Sequence, residues 1–212
     1  MRSFLSITPI VLAAGDSTRM GYPKALLPFG DGTFLTHILG IIRKVGLANP
    51  TIVLGNSARI IQPVLKDWPA DVRINPDPGR GQLSSIQLGL SSLHPSSQAA
   101  MIWPVDQPGV SEDLVRRLAQ IFVQSQSLIV LPKHGDRRGH PAIFHRALFP
   151  EFMETPLTDG PKNILLRHHE NTAVLPTMEA AAVEDIDTPA DYKSLTGRTI
   201  ETALARKMPN KT

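Results

Sequence analysis

A turn of small residues, followed closely by two permanent positive charges, lies near the start of the chain. The stretch reads Leu12-Ala13-Ala14-Gly15-Asp16-Ser17-Thr18-Arg19-Met20-Gly21-Tyr22-Pro23-Lys24. Small residues let backbone N–H groups approach phosphate oxygens, and the hydroxyls of Ser17 and Thr18 would add two donors. The spacing is neither that of a Walker A loop nor the Gly-x-Gly-x-x-Gly of dinucleotide-binding turns. The stretch therefore predicts a phosphate site of another kind, with Arg19 and Lys24 supplying positive charge.

Two aspartates further along the chain are candidates for binding a cation. Asp106 follows the apolar run Trp103-Pro104-Val105, and Asp187 lies in the acidic stretch Glu184-Asp185-Ile186-Asp187. A carboxylate at the end of a strand is well placed to hold Mg²⁺, which prefers oxygen ligands and rarely takes more than two carboxylates. Taken singly, each aspartate could instead cap a helix.

A third candidate segment is Gly79-Arg80-Gly81-Gln82-Leu83-Ser84-Ser85. It places two hydroxyls at the predicted start of a helix, where they could donate to base oxygens or to phosphate. Alternatively, Ser84 or Ser85 could serve only as the helix N-cap.

A fourth candidate is Arg138-Gly139-His140-Pro141. Gly139 would allow a ligand to approach closely, and His140 could either position that ligand or bond the backbone. The histidines at 134, 140 and 145 lack compact metal-ligand spacing, so no zinc site is predicted.

The first stretch, written LAAGxSxRMGxxK, resembles the signature of the nucleotidyltransferases with a Rossmann-like fold. It is closest to the branch that contains the molybdenum cofactor cytidylyltransferases. Asp106-Gln107-Pro108, Arg138-Gly139-His140-Pro141 and Asp185-Ile186-Asp187-Thr188-Pro189 are similar to further motifs of that branch. The resemblance runs from about Ile10 to Tyr192.

The resemblance implies a role for each matching residue. Catalysis would involve Arg19, Lys24 and Asp106, and the metal, Mg²⁺, would be held by Asp106 and Asp187. The nucleotide would be bound by Leu12, Ala13, Ala14, Gly15, Lys24, Gly81, Ser84 and Ser85. The acceptor would be bound by Gln107, Gly139, His140 and Pro141.

The implied reaction is transfer of CMP from CTP to the terminal phosphate of a molybdopterin-type cofactor, with release of pyrophosphate. Ala14 favours the cytidylyl branch, because guanylyl relatives typically read LAGG there; guanylyl transfer from GTP is the nearest alternative. Methylerythritol phosphate or a sugar phosphate as acceptor, and a non-catalytic cofactor carrier, are further alternatives. A molybdoenzyme client is a further partner that the resemblance implies.

One segment departs from the family pattern. The family often has Gly-Asp-x-Gly-Ala-Arg where this chain reads Thr158-Asp159-Gly160-Pro161-Lys162. Lysine keeps the positive charge but lacks the bidentate fork of arginine, so a phosphate contact here would be weaker or different. The identity of the acceptor is therefore left open.

Composition excludes several other classes of protein. Of the 212 residues, 22 are Lys or Arg and 19 are Asp or Glu, and a formal charge of +3 is too small to predict nucleic-acid binding. The absence of cysteine excludes disulfides, thiolate catalysis and Cys-ligated metals. The longest apolar run, 10–14, is far shorter than the ~20 residues of a membrane-spanning helix. The prediction is a cytoplasmic protein that binds neither nucleic acid nor membrane.

Apolar runs and amphipathic stretches alternate along the chain, which predicts a single α/β domain with a mostly parallel central sheet flanked by helices. Strands are predicted at 10–12, 51–54, 72–74, 100–105, 128–131, 142–144 and 173–175. Helices are predicted at 34–45, 60–65, 82–90, 112–122, 162–168 and 190–195, and a charged loop at 133–138. The nucleotidyltransferase domain is expected to span residues 1–197, with a polar, basic tail at 198–212.

Overall fold

The computed structural model describes residues 3–207 and confirms the alternation of strands and helices. The strands within this range are Ile7–Ala13 (β1), Pro28–Phe29 (β2), Gly32–Thr33 (β3), Thr51–Leu54 (β4), Asp71–Ile74 (β5), Ala99–Pro104 (β6), Ile129–His134 (β7), Arg137–Arg138 (β8), Ala142–His145 (β9) and Thr172–Pro176 (β10). The α-helices are Phe34–Val45 (α1), Ala58–Ile61 (α2), Gln82–Ser91 (α3), Glu112–Gln124 (α4), Phe149–Glu154 (α5), Lys162–Arg167 (α6), Pro189–Thr196 (α7) and Ile200–Lys207 (α8).

The main sheet has the strand order β10-β7-β9-β6-β1-β4-β5, with the short β8 paired to β7. Neighbouring strands are parallel except where β9 or β8 takes part, which confirms the mostly parallel sheet. The chain leaves β1 for β4 and β5 on one side and then crosses to β6 on the other side. The carboxyl ends of β1 and β6 therefore meet where the strand order reverses, which is where open α/β sheets bind ligands.

Helices cover both faces of this sheet, because alternate residues of a strand point to opposite faces. Val11 packs in the cluster formed with α1 and α4, whereas Ile10 packs in the cluster formed with α3. At Gly89 in α3 a Cβ atom would lie 2.6 Å from Cγ2 of Ile10. Glycine at this position lets α3 lie close to the sheet, and this packing holds the N-terminus of α3 near the carboxyl ends of the strands.

Helix α1 illustrates how local chemistry sets the element boundaries. The Thr33 hydroxyl accepts a hydrogen bond from the Thr36 backbone N–H, so Thr33 is the N-cap. Gly46 ends the helix with a φ of 81°, a left-handed conformation that glycine adopts without steric cost. The apolar residues of α1 face the sheet, as their helical spacing predicts.

Two predicted segments differ in detail from the structure. The helix expected at 60–65 is α2 followed by a 3-10 turn, Gln62–Leu65, since Pro63 has no N–H to continue α-helical bonding. The charged loop expected at 133–138 contains a tight hairpin, because β7 extends to His134 and pairs with β8 around Gly135, whose φ is 56°.

The polar tail expected after residue 197 is in part a packed helix. Ile200 and Ala203 of α8 are buried in the same cluster as α1 and α4. Residues 208–212, including the basic Lys211, lie outside the described residues. The domain boundary at 197 stays a prediction.

Across residues 3–207, every helix is too short or too polar to cross a membrane.

Candidate active site

A cavity of about 300 Å³, the main cavity, opens at the carboxyl ends of β1 and β6. Among the predicted site residues, those that line it are Leu12, Ala13, Ala14, Gly15, Arg19, Lys24, Gly81, Ser85, Asp106 and Asp187. The structure thus brings the small-residue turn, the start of α3 and both aspartates to one place. The strand order explains this, because each segment follows or faces the carboxyl end of a central strand.

The turn at residues 12–24, the β1 turn, is held compact by its own atoms. Ser17 has a φ of 53°, which is uncommon for a residue with a side chain, and its carbonyl accepts from the Met20 N–H at 3.0 Å. The Ser17 hydroxyl accepts from the Lys24 N–H at 3.2 Å. Among residues 3–207, no backbone hydrogen bond uses an N–H of residues 15–19 as donor. N–H groups left free in a turn that lines a cavity are available to bind phosphate oxygens.

Lys24 lies between the two aspartates. Its side chain is 12% exposed, and Nζ donates to Oδ2 of Asp106 at 2.9 Å and also to Oδ1 of Asp187. Arg19 adds a second cation, because its Nη2 lies 2.8 Å from Oδ2 of Asp187. Two positive and two negative side chains therefore form one cluster of ion pairs in the main cavity.

These contacts favour the charged forms of Lys24 and Asp187 at neutral pH. Burial lowers the pKa of Lys24, but attraction to Asp106 and hydrogen bonds to both aspartates outweigh burial and leave the pKa above its ordinary value. The hydrogen bond from Lys24 lowers the pKa of Asp187 below its ordinary value, and the charge of Arg19 lowers it further against the opposing effect of burial.

The arrangement also fits a divalent cation. Oδ1 of Asp106 is buried and has no hydrogen-bond partner among the described residues, a costly state for a carboxylate oxygen. In residues 3–207, no three His, Cys, Asp or Glu side chains are grouped to hold a metal by themselves. A cation at Asp106 and Asp187 would therefore need further oxygen ligands. Mg²⁺ commonly binds in this way, using one or two carboxylates together with substrate phosphates.

The third segment is organised by a residue that the sequence analysis did not single out. Asn75, which follows β5 and is 5% exposed, donates from Nδ2 to the hydroxyls of Ser84 and Ser85, each at 2.9 Å. Ser84 itself does not line the main cavity; its hydroxyl donates to the Gly81 carbonyl at 2.8 Å. The N-cap of α3 is Gly81, so the alternative interpretation of Ser84 or Ser85 as N-cap is wrong. A polar residue directly after the predicted strand at 72–74 was the available signal for Asn75.

The four residues predicted to bind the acceptor line neither the main cavity nor the neighbouring one described next. Gln107 is 3% exposed and bonds Asp185, Gly139 lies against the Ala182 carbonyl, and Pro141 is buried after a cis peptide bond. The backbone N–H of His140 donates to the same Ala182 carbonyl at 2.8 Å. The close approach allowed at Gly139 is thus to this chain's own backbone, and contact of these residues with an acceptor stays a prediction.

The surroundings of His140 favour the neutral form of its ring. Burial lowers the pKa of His140, although the nearby charges of Asp185 and Asp106 act in the opposite direction.

A second cavity adjoins the main one and shares Arg19 and Asp187 with it. Its other basic lining residue is Arg137, which the sequence analysis did not select although it directly precedes the Arg138-Gly139-His140-Pro141 motif. Lys162, at the point where the sequence departs from the family pattern, is exposed at the start of α6 and lines neither cavity.

Comparisons with known proteins agree with this geometry. The profile of the MobA-like NTP transferase domain matches residues 9–172. A Mycobacterium ulcerans protein named "Probable molybdenum cofactor guanylyltransferase" is 28% identical over 194 residues, which cover 88% of this chain and 92% of that protein. The "Nicotine blue oxidoreductase" of Paenarthrobacter nicotinovorans is 29% identical over 190 residues, 86% of this chain and 92% of that protein.

Solved structures with a similar fold cover most of this chain. The crystal structure of Rv0371c from Mycobacterium tuberculosis H37Rv superposes with a TM-score of 0.78 at 30% identity and covers 91% of this chain and 97% of that one. A structure of the same protein in complex with manganese superposes with a TM-score of 0.74 at 28% identity, covering 91% and 99%. The profile match spans most of the chain and includes the β1 turn and Asp106. The chain therefore belongs to the MobA-like NTP transferase family.

Proposed function

We propose that this protein transfers a nucleoside monophosphate from a nucleoside triphosphate to the terminal phosphate of a molybdopterin-type cofactor. In this reaction an acceptor phosphate oxygen attacks the α-phosphorus of the triphosphate and a new O–P bond forms. The bond between the α-phosphorus and the oxygen that bridges to the β-phosphate breaks, and pyrophosphate leaves. The names of the mycobacterial relatives support this acceptor.

The observation that carries the proposal is the position of Lys24, bonded to both Asp106 and Asp187 inside a cavity lined by the β1 turn. A terminal phosphate is already an anion at pH 7, because its second pKa is about 6. The reaction therefore needs no strong general base. Its obstacle is repulsion between two anions, and fixed positive charge at the α-phosphate is what lowers that barrier.

The residues of this chain provide that charge and hold the reactants. The N–H groups of the β1 turn would bind the phosphates, and Lys24 would move its contact from the carboxylates to the triphosphate. Arg19, which lines both cavities, would stabilise negative charge on the phosphates where the two cavities meet. Mg²⁺ held by Asp106 and Asp187 would neutralise charge on the α-phosphate and on the departing pyrophosphate. Alignment of the acceptor for in-line attack would provide the rest of the acceleration.

GTP is the donor that the relatives favour, since those with near-complete coverage include proteins named guanylyltransferases. The sequence analysis favoured CTP on the evidence of Ala14, one residue in the β1 turn, and that preference is the second candidate. We adopt GTP here. The acceptor would enter through the second cavity, which adjoins the main cavity and contains Arg19 and Arg137 as partners for a phosphate.

The test is pyrophosphate release by the purified protein with Mg²⁺, molybdopterin and each of GTP, CTP, ATP and UTP. Turnover with GTP that is lost in Asp106→Asn is expected. The exposed Lys66 provides a matched control, because Lys66→Ala removes a cation that lines neither cavity. Turnover with CTP instead would restore the cytidylyl assignment. Absence of pyrophosphate with all four nucleotides would reject nucleotidyl transfer and favour a carrier or a different chemistry, such as that of the oxidoreductase relative.

A further inference from the structure

The segment at residues 182–187, the Asp187 loop, brings Asp187 into the main cavity. The backbone N–H groups of its last two residues, Ile186 and Asp187, both donate hydrogen bonds. The Ile186 N–H donates to the Asp106 carbonyl at 2.9 Å. The Asp187 N–H donates to Oδ2 of Asp191 at 3.1 Å, which places it at the start of α7. The backbone of one candidate metal-binding residue is thus bonded to the residue preceding the other.

A side-chain bond joins the same two segments. Nε2 of Gln107 donates to Oδ1 of Asp185 at 2.7 Å. Gln107 is 3% exposed, and its backbone carbonyl accepts from the Trp103 indole N–H at 3.1 Å, so the residue that provides the donor is fixed in the core. Asp185 is exposed. Gln107 directly follows Asp106, and Asp185 lies two residues before Asp187, so this bond links the immediate neighbourhoods of the two carboxylates.

The other end of the Asp187 loop rests on the segment before β9. The His140 N–H donates to the Ala182 carbonyl at 2.8 Å, and Arg137 donates from Nη2 to the Val183 carbonyl at 2.6 Å. A Cβ at Gly139 would lie 2.1 Å from the Ala182 carbonyl oxygen, so a larger residue would displace the loop. The residues expected to meet an acceptor therefore support the loop that carries Asp187.

We infer that Gln107 and Asp185 are positioning residues that hold Asp187 beside Asp106 in the separation that a divalent cation requires. The inference rests on the proposed function, in which those two aspartates bind the metal. Mg²⁺ demands near-ideal octahedral geometry, so a small displacement of one carboxylate weakens binding. Groups that orient metal ligands without touching the metal typically change metal affinity by about 10- to 100-fold when they are removed.

The experiment measures Mn²⁺ affinity by electron paramagnetic resonance, with a non-hydrolysable GTP analogue present and no acceptor. Asp185→Ala removes the acceptor oxygen at an exposed position and should weaken Mn²⁺ binding about tenfold while the protein stays folded. Asp185→Asn keeps an oxygen that can accept from Gln107 and should stay within about threefold of the wild type. Gln107→Leu removes the donor and should reproduce the effect of Asp185→Ala.

Two results would overturn the inference. Equal losses in Asp185→Asn and Asp185→Ala would mean that the charge of Asp185 acts rather than its hydrogen bond. Wild-type affinity in Asp185→Ala would mean that the bond to Gln107 does not position Asp187. Asp187→Asn, measured in parallel, separates this inference from the proposed function: unchanged Mn²⁺ binding in that variant would reject the metal site itself.

Discussion

The two sides of the main cavity are built in different ways. The β1 turn is one run of consecutive residues, and its shape depends on its own contacts, such as that between the Ser17 hydroxyl and the Lys24 N–H. The opposite side consists of Asp106 and the Asp187 loop, which are far apart in the chain. They are joined by the bond from Gln107 to Asp185 and by the bond from the Ile186 N–H to the Asp106 carbonyl.

This difference corresponds to the two tasks proposed for the site, phosphate binding and cation binding. A locally determined turn of small residues suits phosphate oxygens, which need N–H groups and room rather than a fixed partner distance. A cation held by two carboxylates needs a defined separation, and only tertiary contacts can set that. Changes to the β1 turn should therefore alter nucleotide affinity, whereas changes to the carboxylate side should alter metal dependence.

The largest effect is expected where the two sides meet, at Lys24. Lys24→Ala removes the ammonium that bonds both carboxylates and leaves Asp106 and Asp187 without their shared cation. We expect kcat/KM for the triphosphate to fall about 10²- to 10³-fold, the size of effect seen when one charge-stabilising donor is removed. Steady-state pyrophosphate release measures this, with Lys66→Ala as the control. Near-normal activity would remove Lys24 from the mechanism.

The next largest effect on activity is expected from a substitution on the carboxylate side alone. Asp106→Asn keeps the size of the side chain and removes its negative charge. We expect kcat to fall about 10²-fold and the Mg²⁺ concentration for half-maximal activity to rise, with little change in nucleotide affinity measured without metal. Calorimetry with and without Mg²⁺ separates the two quantities. A weaker metal-free nucleotide affinity would show that the two sides are not separate.

A smaller effect on activity is expected from a substitution that displaces the backbone of the β1 turn. At Gly55, which follows β4, a Cβ would lie 2.2 Å from the Ala14 carbonyl oxygen. Gly55→Ala should push the turn, raise KM for the triphosphate about tenfold and lower the free energy of unfolding by about 1–3 kcal/mol.

Gly40→Ala is the matched control for that change. The nearest atom to a Cβ at Gly40 is Cη2 of Trp68 at 4.0 Å, and the residue lies within α1. This substitution should leave KM unchanged and stabilise the protein by about 0.5–1 kcal/mol. Equal KM values for the two glycine variants would show that the close approach to Ala14 does not shape the nucleotide site.

The smallest effect is expected away from both sides of the cavity, at Glu151 in α5. Burial raises the pKa of Glu151, but hydrogen bonds from His168 and Arg167 outweigh burial and leave the pKa below its ordinary value of 4.5. The charged form therefore stabilises the folded state fully above pH 4.5, and this contribution is lost as the pH falls through the lowered value.

Glu151→Gln should lower the free energy of unfolding by less than about 1 kcal/mol at pH 6, with no change in turnover. The difference from the wild type should shrink as the pH falls below 4.5. Urea unfolding at several pH values measures it. A difference that stays constant with pH, or a change in turnover, would contradict the assignment.

Local patterns predicted many elements closely. Thr51–Leu54 is the strand that its β-branched and apolar residues indicate, and α1 begins after Thr33 and ends before Gly46 as their types predict. Both depend on contacts between near neighbours, so the order of residue types is sufficient. The small hairpin at 133–138 was missed because its charged residues carry no apolar alternation.

Within the candidate site, too, some features could be predicted from local residue types and others could not. The residue types of the β1 turn indicated phosphate binding without reference to the rest of the chain, and the structure places that turn in the main cavity. The role expected for Gly139 and His140 came from a motif alone. The structure shows them in contact with Ala182 of the Asp187 loop, and their contact with an acceptor stays a prediction.

The amino-acid sequence by itself determined the alternation of strands and helices and the resemblance to nucleotidyltransferases, and it predicted phosphate binding at the β1 turn. Only the tertiary structure decided that Lys24 bonds both Asp106 and Asp187, that Asn75 holds Ser84 and Ser85, and that Gln107 is bonded to Asp185. The physical reason is that these contacts join segments far apart in the chain. Their proximity follows from the order of strands in the sheet, which neither periodicity nor residue spacing specifies.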